Sequence, residues 1–460
     1  MLRAAARRVA GDSLARNSVL IMASTVGTSG LGYLFWMVAA RGLAPSAVGA
    51  ATALISAATV VSMLSNLGIG HMFIQRLPGT PAAVWSRIVS GGLLIGCAAT
   101  ALTATAAAIL LPRLAGNFAV LSAPALIATA VALTASTLLD YVFVAHRASH
   151  GMLWRNLALA AGKVLALPAL TGLGLHDSNA VLLAWTLPSI AVTAVTLAVS
   201  PSRLRAGARL TGARLGREVK HVRAALSGHH LINLAQAGPG ALLPVLVTAR
   251  LGASANAHFY VAWMTASVLF MVSPAVASAF YAERSHVGAR PAPLRKAATV
   301  VLAVIGAPAI VLFVAGDEIL GLFSSGYATG GGLLLKILVI AAIPDAITNL
   351  AVAHWRSRRE FRRCLHLNLV MASTCLALTW FWLPGLGIAA AGLAWLAGEF
   401  AGALLVTVSA LTGRNGRRSR FVLRHRAAPR DHAVSRPAAR ATGRPPKSRP
   451  ASRRKEASVR

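Results

Sequence analysis

Apolar runs of about 20 residues follow one another along almost the whole chain, separated by short segments where Arg, Pro, Gly and Ser gather. A helix of about that length crosses a hydrocarbon core of ~30 Å. The first six runs cover Asn17–Ala40, Val48–Leu67, Ile88–Leu111, Phe118–Ala145, Leu157–Leu175 and Ala180–Ser200. The next six cover Leu231–Ala249, Phe259–Phe280, Ala298–Gly316, Gly332–Trp355, Leu367–Leu386 and Ile388–Leu411. None alternates apolar with polar positions as a barrel strand does, so each run predicts a helix whose backbone groups are satisfied internally. The pattern predicts an all-α integral membrane protein of about twelve transmembrane helices. The first run is longer than the core of a signal peptide and is followed by no cleavage site, so it reads as a retained span.

Composition agrees. The 460 residues are 56% hydrophobic and only 12% charged, with a mean hydropathy of +0.65. Soluble domains carry roughly 25% charged residues. So little charge cannot coat a water-soluble surface over this much apolar material.

The basic residues orient the array. With the N-terminus inside, 24 of them fall on inner segments: Arg3 to Arg16, Arg76 and Arg87, Arg147 and Arg155, Arg203 to Arg223, Arg284 to Lys296, and Arg356 to Arg363. Three fall outside, Arg41, Arg113 and Arg250. Positive charge is retained in cytoplasmic loops, so this asymmetry puts both termini in the cytoplasm. A missed or extra span would scramble the alternation beyond it. Most of the net charge of +33 is therefore a topology signal and calls for no nucleic acid. The rest sits in a tail over residues 414–460, rich in Arg, Pro, Ala and Ser. Such a segment is too polar to fold alone and is attracted to anionic lipids. Its last aromatic is Phe421, without the interleaved aromatics of a nucleic-acid-binding segment.

Chemistry is sparse. Gly162-Lys163 lacks the remaining positions of a phosphate loop, and no HExxH, paired CxxC or GxSxG occurs. Cys97, Cys364 and Cys375 have no metal-ligand spacing and read as packing residues. The pairs Gly92/Gly96 and Gly398/Gly402 read as helix-packing positions. The outward connections are too short for a processing domain. No enzyme, cofactor or metal site is expected. The inward segment 201–230 is basic, and Leu204, Leu210, Leu215, Val219, Val222 and Leu226 roughly share one helical face. It predicts an amphipathic surface linker between a six-helix lobe over residues 1–200 and a second over 231–413.

The halves echo one another. The turn after the first run, Ala39–Ala53, aligns with Thr248–Ala262 after the seventh at an offset of 209 residues. Identities fall at Ala40/Ala249, Arg41/Arg250, Ala44/Ala253 and Ala53/Ala262, supporting two repeats of like orientation. The Asn17-Ser18 start, the ARGLAPSAVG turn, LSNLGIGHMFIQRLP (Leu64–Pro78), ARLGASANAHFYVAW (Ala249–Trp263) and ILGLFSSGYATGGGLLLKIL (Ile319–Leu338) resemble the bacterial polysaccharide-biosynthesis flippases. These Wzx-like oligosaccharide exporters belong to the multidrug/oligosaccharidyl-lipid/polysaccharide (MOP) exporter superfamily. The resemblance covers roughly residues 10–413. It implies two six-helix lobes related by a pseudo-two-fold along the membrane normal, around a central cavity that opens alternately to each side. It further implies a polyprenyl-diphosphate-linked oligosaccharide as substrate, the bacterial cytoplasmic membrane as location, and glycan polymerase or glycosyltransferases as further partners.

Polar residues inside spans nominate the site, because a charge in lipid costs a few kcal/mol and normally faces a cavity or a partner. Asp345, Glu399 and Asp140 are the ion-coupling candidates. Lys163 is a candidate for an anionic head group or for an ion pair with Asp140; Arg147 is the other candidate partner of Asp140. Asn233 and Gln236, one turn apart and just after His229 and His230, form a sugar- or phosphate-facing group. Thr25 and Tyr33 mark the unusually polar first helix, with Arg16 at its inner mouth and Arg41 and Arg250 at the outer mouths. Two other readings stand beside the flippase: a cation-coupled exporter of drugs or small molecules from the same superfamily, and a non-transporting membrane scaffold for polysaccharide-assembly enzymes.

Overall fold

The computed structural model describes residues 13–114, 123–210, 229–285, 294–358 and 360–426. The N-terminal lobe contains α1 (Ser13–Gly42), α2 (Pro45–Ser65), a short α3 (Ile69–Arg76), α4 (Ala82–Leu114), α5 (Ala123–Ala145), α6 (Ser149–Gly172) and α7 (Ser178–Leu204). The C-terminal lobe contains α8 (His229–Leu251), α9 (Ala253–Ser285), α10 (Leu294–Val314), a short α11 (Gly316–Gly321), α12 (Ser325–Ser357), α13 (Phe361–Leu386) and α14 (Ala389–Arg426). Setting aside the two short helices leaves six long ones per lobe. Nine of the described helices are long and apolar enough to cross a membrane. The other three, α1, α6 and α10, have 30, 24 and 21 residues. The fold is an all-α membrane fold of two six-helix lobes. A second compact unit begins at Ser409. The tail beyond residue 426 and most of the predicted linker, residues 211–228, lie outside the described residues.

Local sequence sets the breaks. Pro45 opens α2, where its missing N–H is not needed. Asp177 caps α7 by accepting from the Asn179 amide at 3.0 Å. Gly252, at φ +89°, makes the one-residue turn from α8 into α9, a conformation a side chain would resist. One boundary differs from the pattern. The fifth span begins at Ser149 rather than Leu157, so Arg155 lies within α6 and not in a loop. A half-buried ion pair described below lets the helix carry that charge.

Small residues let the helices approach closely, as expected where lipid-immersed helices gain little from apolar burial alone. A methyl group at Gly92 would run into Phe73, one at Gly96 into Leu138, and one at Gly398 into the Met371 carbonyl. Cys364 and Cys375 are buried free thiols, and Cys97 is half-buried.

Within the lobes α1 packs on α6, α4 on α5, α8 on α13 and α9 on α12; between them, α2 packs against α8 and α9. That seam joins the two echoing segments. A methyl group at Gly49 would collide with the carbonyl of Ala253, and Asn256 Nδ2 lies 2.9 Å from both Gly49 O and Thr52 Oγ1. On the same face Arg41 Nε donates to Leu322 O at 2.8 Å, Tyr33 meets Phe323 at 5.8 Å and Trp36 meets Tyr260 at 4.9 Å between ring centroids. The lobes are closed together on the face with few basic residues. On the basic face His71 Nε2 and Asn233 Nδ2 lie 3.4 Å apart across the lobes.

Candidate functional sites in the two lobes

The charged residues inside the spans separate into two unlike groups. In the N-terminal lobe, Asp140 on α5 accepts from Arg155 on α6 at 2.6 Å. The same guanidinium donates to Ser136 Oγ at 3.0 Å and to Asn156 Oδ1 at 2.8 Å. Asn156 Nδ2 lies 3.3 Å from Asp140 Oδ1 and 3.4 Å from Ser24 Oγ on α1. The partner of Asp140 is therefore Arg155, neither Arg147 nor Lys163. Arg155 lies inside α6 and faces α5, whereas Arg147 sits in the α5–α6 turn with φ +53°.

Lys163, two turns further along α6, is buried at 8% exposure. Its Nζ lies 3.4 Å above the ring of Trp185 on α7. No described carboxylate pairs with it. Trp185 in turn packs on Phe35 and Trp36, so the ammonium sits on an aromatic stack that reaches Tyr260 of the other lobe. A cation over an aromatic face gains ~0.5–2 kcal/mol, well short of an ion pair's charge neutralisation.

The C-terminal lobe holds a cavity of about 270 Å³ between α8, α9, α12, α13 and α14. Asp345 and Glu399 line it, 6% and 5% exposed. The Thr348 hydroxyl lies 2.9 Å from both Glu399 Oε2 and Asp345 O, and Asn349 Nδ2 lies 3.0 Å from Asp345 Oδ1. Asp345 Oδ2 is buried without a well-formed hydrogen bond, with the Ser273 hydroxyl on α9 alongside it. Every group shown bonding these carboxylates is neutral. Two carboxylates shown bonding only hydroxyls and amides, in a small cavity otherwise lined mainly by apolar side chains, can hold a proton or a small cation with oxygen ligands.

A line of amides leads out of this cavity. Gln236 on α8 donates from Nε2 to Asn349 Oδ1 at 3.3 Å. Arg356, at the basic end of α12, donates from Nη2 to Gln236 Oε1 at 3.2 Å and to Asn233 Oδ1 at 3.3 Å. Asn233 and Gln236, one turn apart, thus accept from the same guanidinium. Arg356, Thr348, Asn349 and Asn368 belong to this site and were not singled out from the sequence. A signal was present. Asp345, Asn349, Val352 and Arg356 recur at helical spacing along one face of α12.

The other nominated residues lie elsewhere. Arg41 and Tyr33 bind across the closed face, and Arg250 lies over the Trp380 ring at 4.6 Å on α13. Thr25 is exposed on α1, its carbonyl accepting from Thr28 Oγ1 at 3.1 Å. His230 is half-buried at the start of α8. Arg16 and His229 are placed on their helices, but their side chains lie outside what is described. Among the described residues, no three His, Cys, Asp or Glu side chains gather as a metal-binding group.

Solved structures show the same fold across nearly the whole chain. The lipid II flippase MurJ, in an inward closed conformation, superposes with a TM-score of 0.66 at 11% identity over 85% of this chain and 87% of its own. An inward-facing multidrug resistance MATE family transporter of the MOP superfamily gives 0.61 at 16% identity over 87% and 96%. The MATE multidrug transporter DinF-BH gives 0.58 at 13% identity over 88% and 96%. Neither a protein-family model nor a curated protein matches the chain. The chain has the twelve-helix, two-lobe fold of MOP-superfamily transporters.

Proposed function

We propose that this protein is a secondary transporter that moves a polyprenyl-diphosphate-linked oligosaccharide across the bacterial cytoplasmic membrane for cell-surface polysaccharide assembly. The observation that carries the transport reading is the buried Asp345–Glu399 cavity inside one lobe of a transporter fold. Binding a cation or proton there changes the charge of a helix cluster that packs through α8 and α9 on the opposing lobe. An ion gradient can bias alternating access in this way, since a ligand shifts a conformational equilibrium by its differential affinity for the two states. The lipid-linked substrate is supported by the sequence resemblance and by the fold shared with a lipid II flippase. A diphosphate and its sugars cannot cross hydrocarbon bare, since the idealised transfer of one ion is of order 20 kcal/mol. In this reading Lys163 and the polar mouth at Asn233 and Gln236 meet the head group, Asp345 and Glu399 couple, and the basic loops and both termini face the cytoplasm. Anionic lipids attract the tail, and polymerase or glycosyltransferases act on the product.

A second reading, a cation-coupled exporter of small aromatic or cationic compounds, has its own support. Phe270 and Trp395 line the carboxylate cavity, and two of the solved structures sharing the fold are multidrug transporters. Proteoliposomes containing the purified protein separate the two. Export of a fluorescently tagged polyprenyl-diphosphate oligosaccharide, strongly reduced by Asp345→Asn, supports the flippase. Transport of a cationic dye with no movement of the tagged lipid selects the exporter.

A further inference from the structure

Arg356 is held in a way that a topology anchor does not need. An arginine that only marks the cytoplasmic end of a helix extends into the head groups and keeps its guanidinium in water. Here the guanidinium turns back into the lobe. Its Nη2 is shared between the side-chain oxygens of Asn233 and Gln236, at 3.3 and 3.2 Å. Its Nε is buried with no hydrogen-bond partner. No described carboxylate lies within ion-pairing distance, although Glu360 is one turn away and is instead paired with Arg363 at 2.8 Å. Among the described residues the charge is therefore oriented by neutral groups and meets no carboxylate.

Its position gives that charge a purpose. Asn233, one of the two amides holding it, approaches His71 of the N-terminal lobe, so the group stands at the seam between lobes on the basic face. Gln236, the other, passes directly to Asn349 and thence to Asp345 Oδ1. The bonds at the guanidinium are long, at the outer limit for N–H···O geometry. An anion can replace the amide oxygens, because a planar guanidinium matches phosphate oxygens in a paired, charge-assisted geometry that a neutral amide cannot.

We infer that Arg356 receives the phosphate of an amphiphilic substrate at the basic-face mouth, and that Gln236 and Asn349 link this event to Asp345. When phosphate takes the guanidinium, the Gln236 side chain loses its acceptor role and is freed to turn. Its donor contact to Asn349, and through it the hydrogen bonding of Asp345, then changes. Substrate arrival and ion occupancy are coupled through one amide, and by linkage each alters the affinity of the other to the same extent. The inference rests on the transport reading above but is tested by binding, which needs no transport.

The test uses the full chain purified in detergent, with farnesyl diphosphate as the probe and inorganic pyrophosphate and farnesol as controls, read by calorimetry. Farnesyl diphosphate is expected to bind well, pyrophosphate weakly and farnesol not measurably. Arg356→Gln should weaken farnesyl diphosphate by about tenfold or more, the loss of a charged hydrogen-bonding partner, and Arg356→Lys should restore part of it. Asp345→Asn should shift the affinity of the native chain severalfold. The same change should have no effect in a Gln236→Leu background, where the amide link is missing. Native affinity in Arg356→Gln, with a melting temperature matching the native chain, overturns the anion site. Equal binding of pyrophosphate and farnesyl diphosphate overturns the amphiphile. An Asp345→Asn effect of the same size with and without Gln236 overturns the link. If export of the tagged lipid persists in Arg356→Gln, the inference fails while the flippase reading stands.

Discussion

Each lobe holds acidic side chains within its spans, and they are treated in opposite ways. In the N-terminal lobe Asp140 faces a guanidinium at 2.6 Å, fixed by Ser136 and Asn156, in a network that also reaches Ser24. In the C-terminal lobe Asp345 and Glu399 share a cavity with hydroxyls and amides and no described cation in bonding contact. A neutralised carboxylate is finished; it holds α5 to α6 and has little capacity left for a ligand. A carboxylate pair with no described cation in contact is unfinished and keeps that capacity. The difference separates a carboxylate already paired with a cation from two that are shown meeting only neutral groups, although all three acids look alike in the sequence.

The largest expected effect is on the finished pair. Arg155→Ala leaves Asp140 without its cation and should destabilise the inserted protein by about 3 kcal/mol, the low end for a broken buried pair because Asp140 is partly exposed. The amount of folded protein in the membrane should fall sharply, and Arg155→Gln with Asp140→Asn should recover much of it. Thermal unfolding in detergent measures both. Full abundance in Arg155→Ala would remove the ground for calling that pair structural.

Next comes the unfinished pair. Asp345→Asn and Glu399→Gln keep the shape of the side chains and remove a charge. Abundance should stay near native, while transport per inserted molecule falls about tenfold or more and its dependence on pH flattens. The comparison between the lobes breaks if these variants lose stability as Arg155→Ala does. Native turnover at every pH in both would end the coupling assignment.

Lys163 lies between the two cases, a buried cation resting on Trp185 with no described carboxylate partner. Lys163→Met removes a cation–π contact of ~0.5–2 kcal/mol but also a buried charge, so stability should change by less than about 1 kcal/mol. Export of the tagged lipid per molecule should drop severalfold if the ammonium meets the substrate. Unchanged export at unchanged abundance would place Lys163 outside the path. The smallest effect is expected from deleting residues 427–460, whose composition offers nothing to pack. Membrane insertion and transport should survive within a factor of about two; loss of either, measured per cell and per molecule, would show that the tail has a structural or recruiting role.

Much of the site is legible residue by residue and little of it pair by pair. Asp345, Glu399, Asn233 and Gln236 stand out because polar groups inside apolar spans demand a reason. Their neighbours are harder to see. Thr348 and Asn349 are ordinary residues in a membrane helix, and Ser or Thr often only bonds back to its own turn. Arg356 counts in the sequence as one more topology charge. These residues escape notice because their role depends on α8 and α14 standing beside α12, and helical pattern carries no information about which helices are neighbours.

The sequence by itself determined the class, the number of spans and the equivalence of the halves. Those follow from quantities local to the chain: the length of an apolar run, the charge of the loop beside it, and the repeat of a turn motif after 209 residues. Tertiary structure decided which charges meet. Lys163 could have paired with Asp140, one helix away, but the facing of α5 and α6 gave that carboxylate to Arg155 and left Lys163 on Trp185. It also set Glu399 on α14 against Thr348 on α12, so that Asp345 and Glu399, far apart in the chain, line one cavity. An ion pair or a shared cavity forms through space over a few ångströms, and only the packing of glycine and alanine faces fixes the helix rotations that bring those atoms within reach.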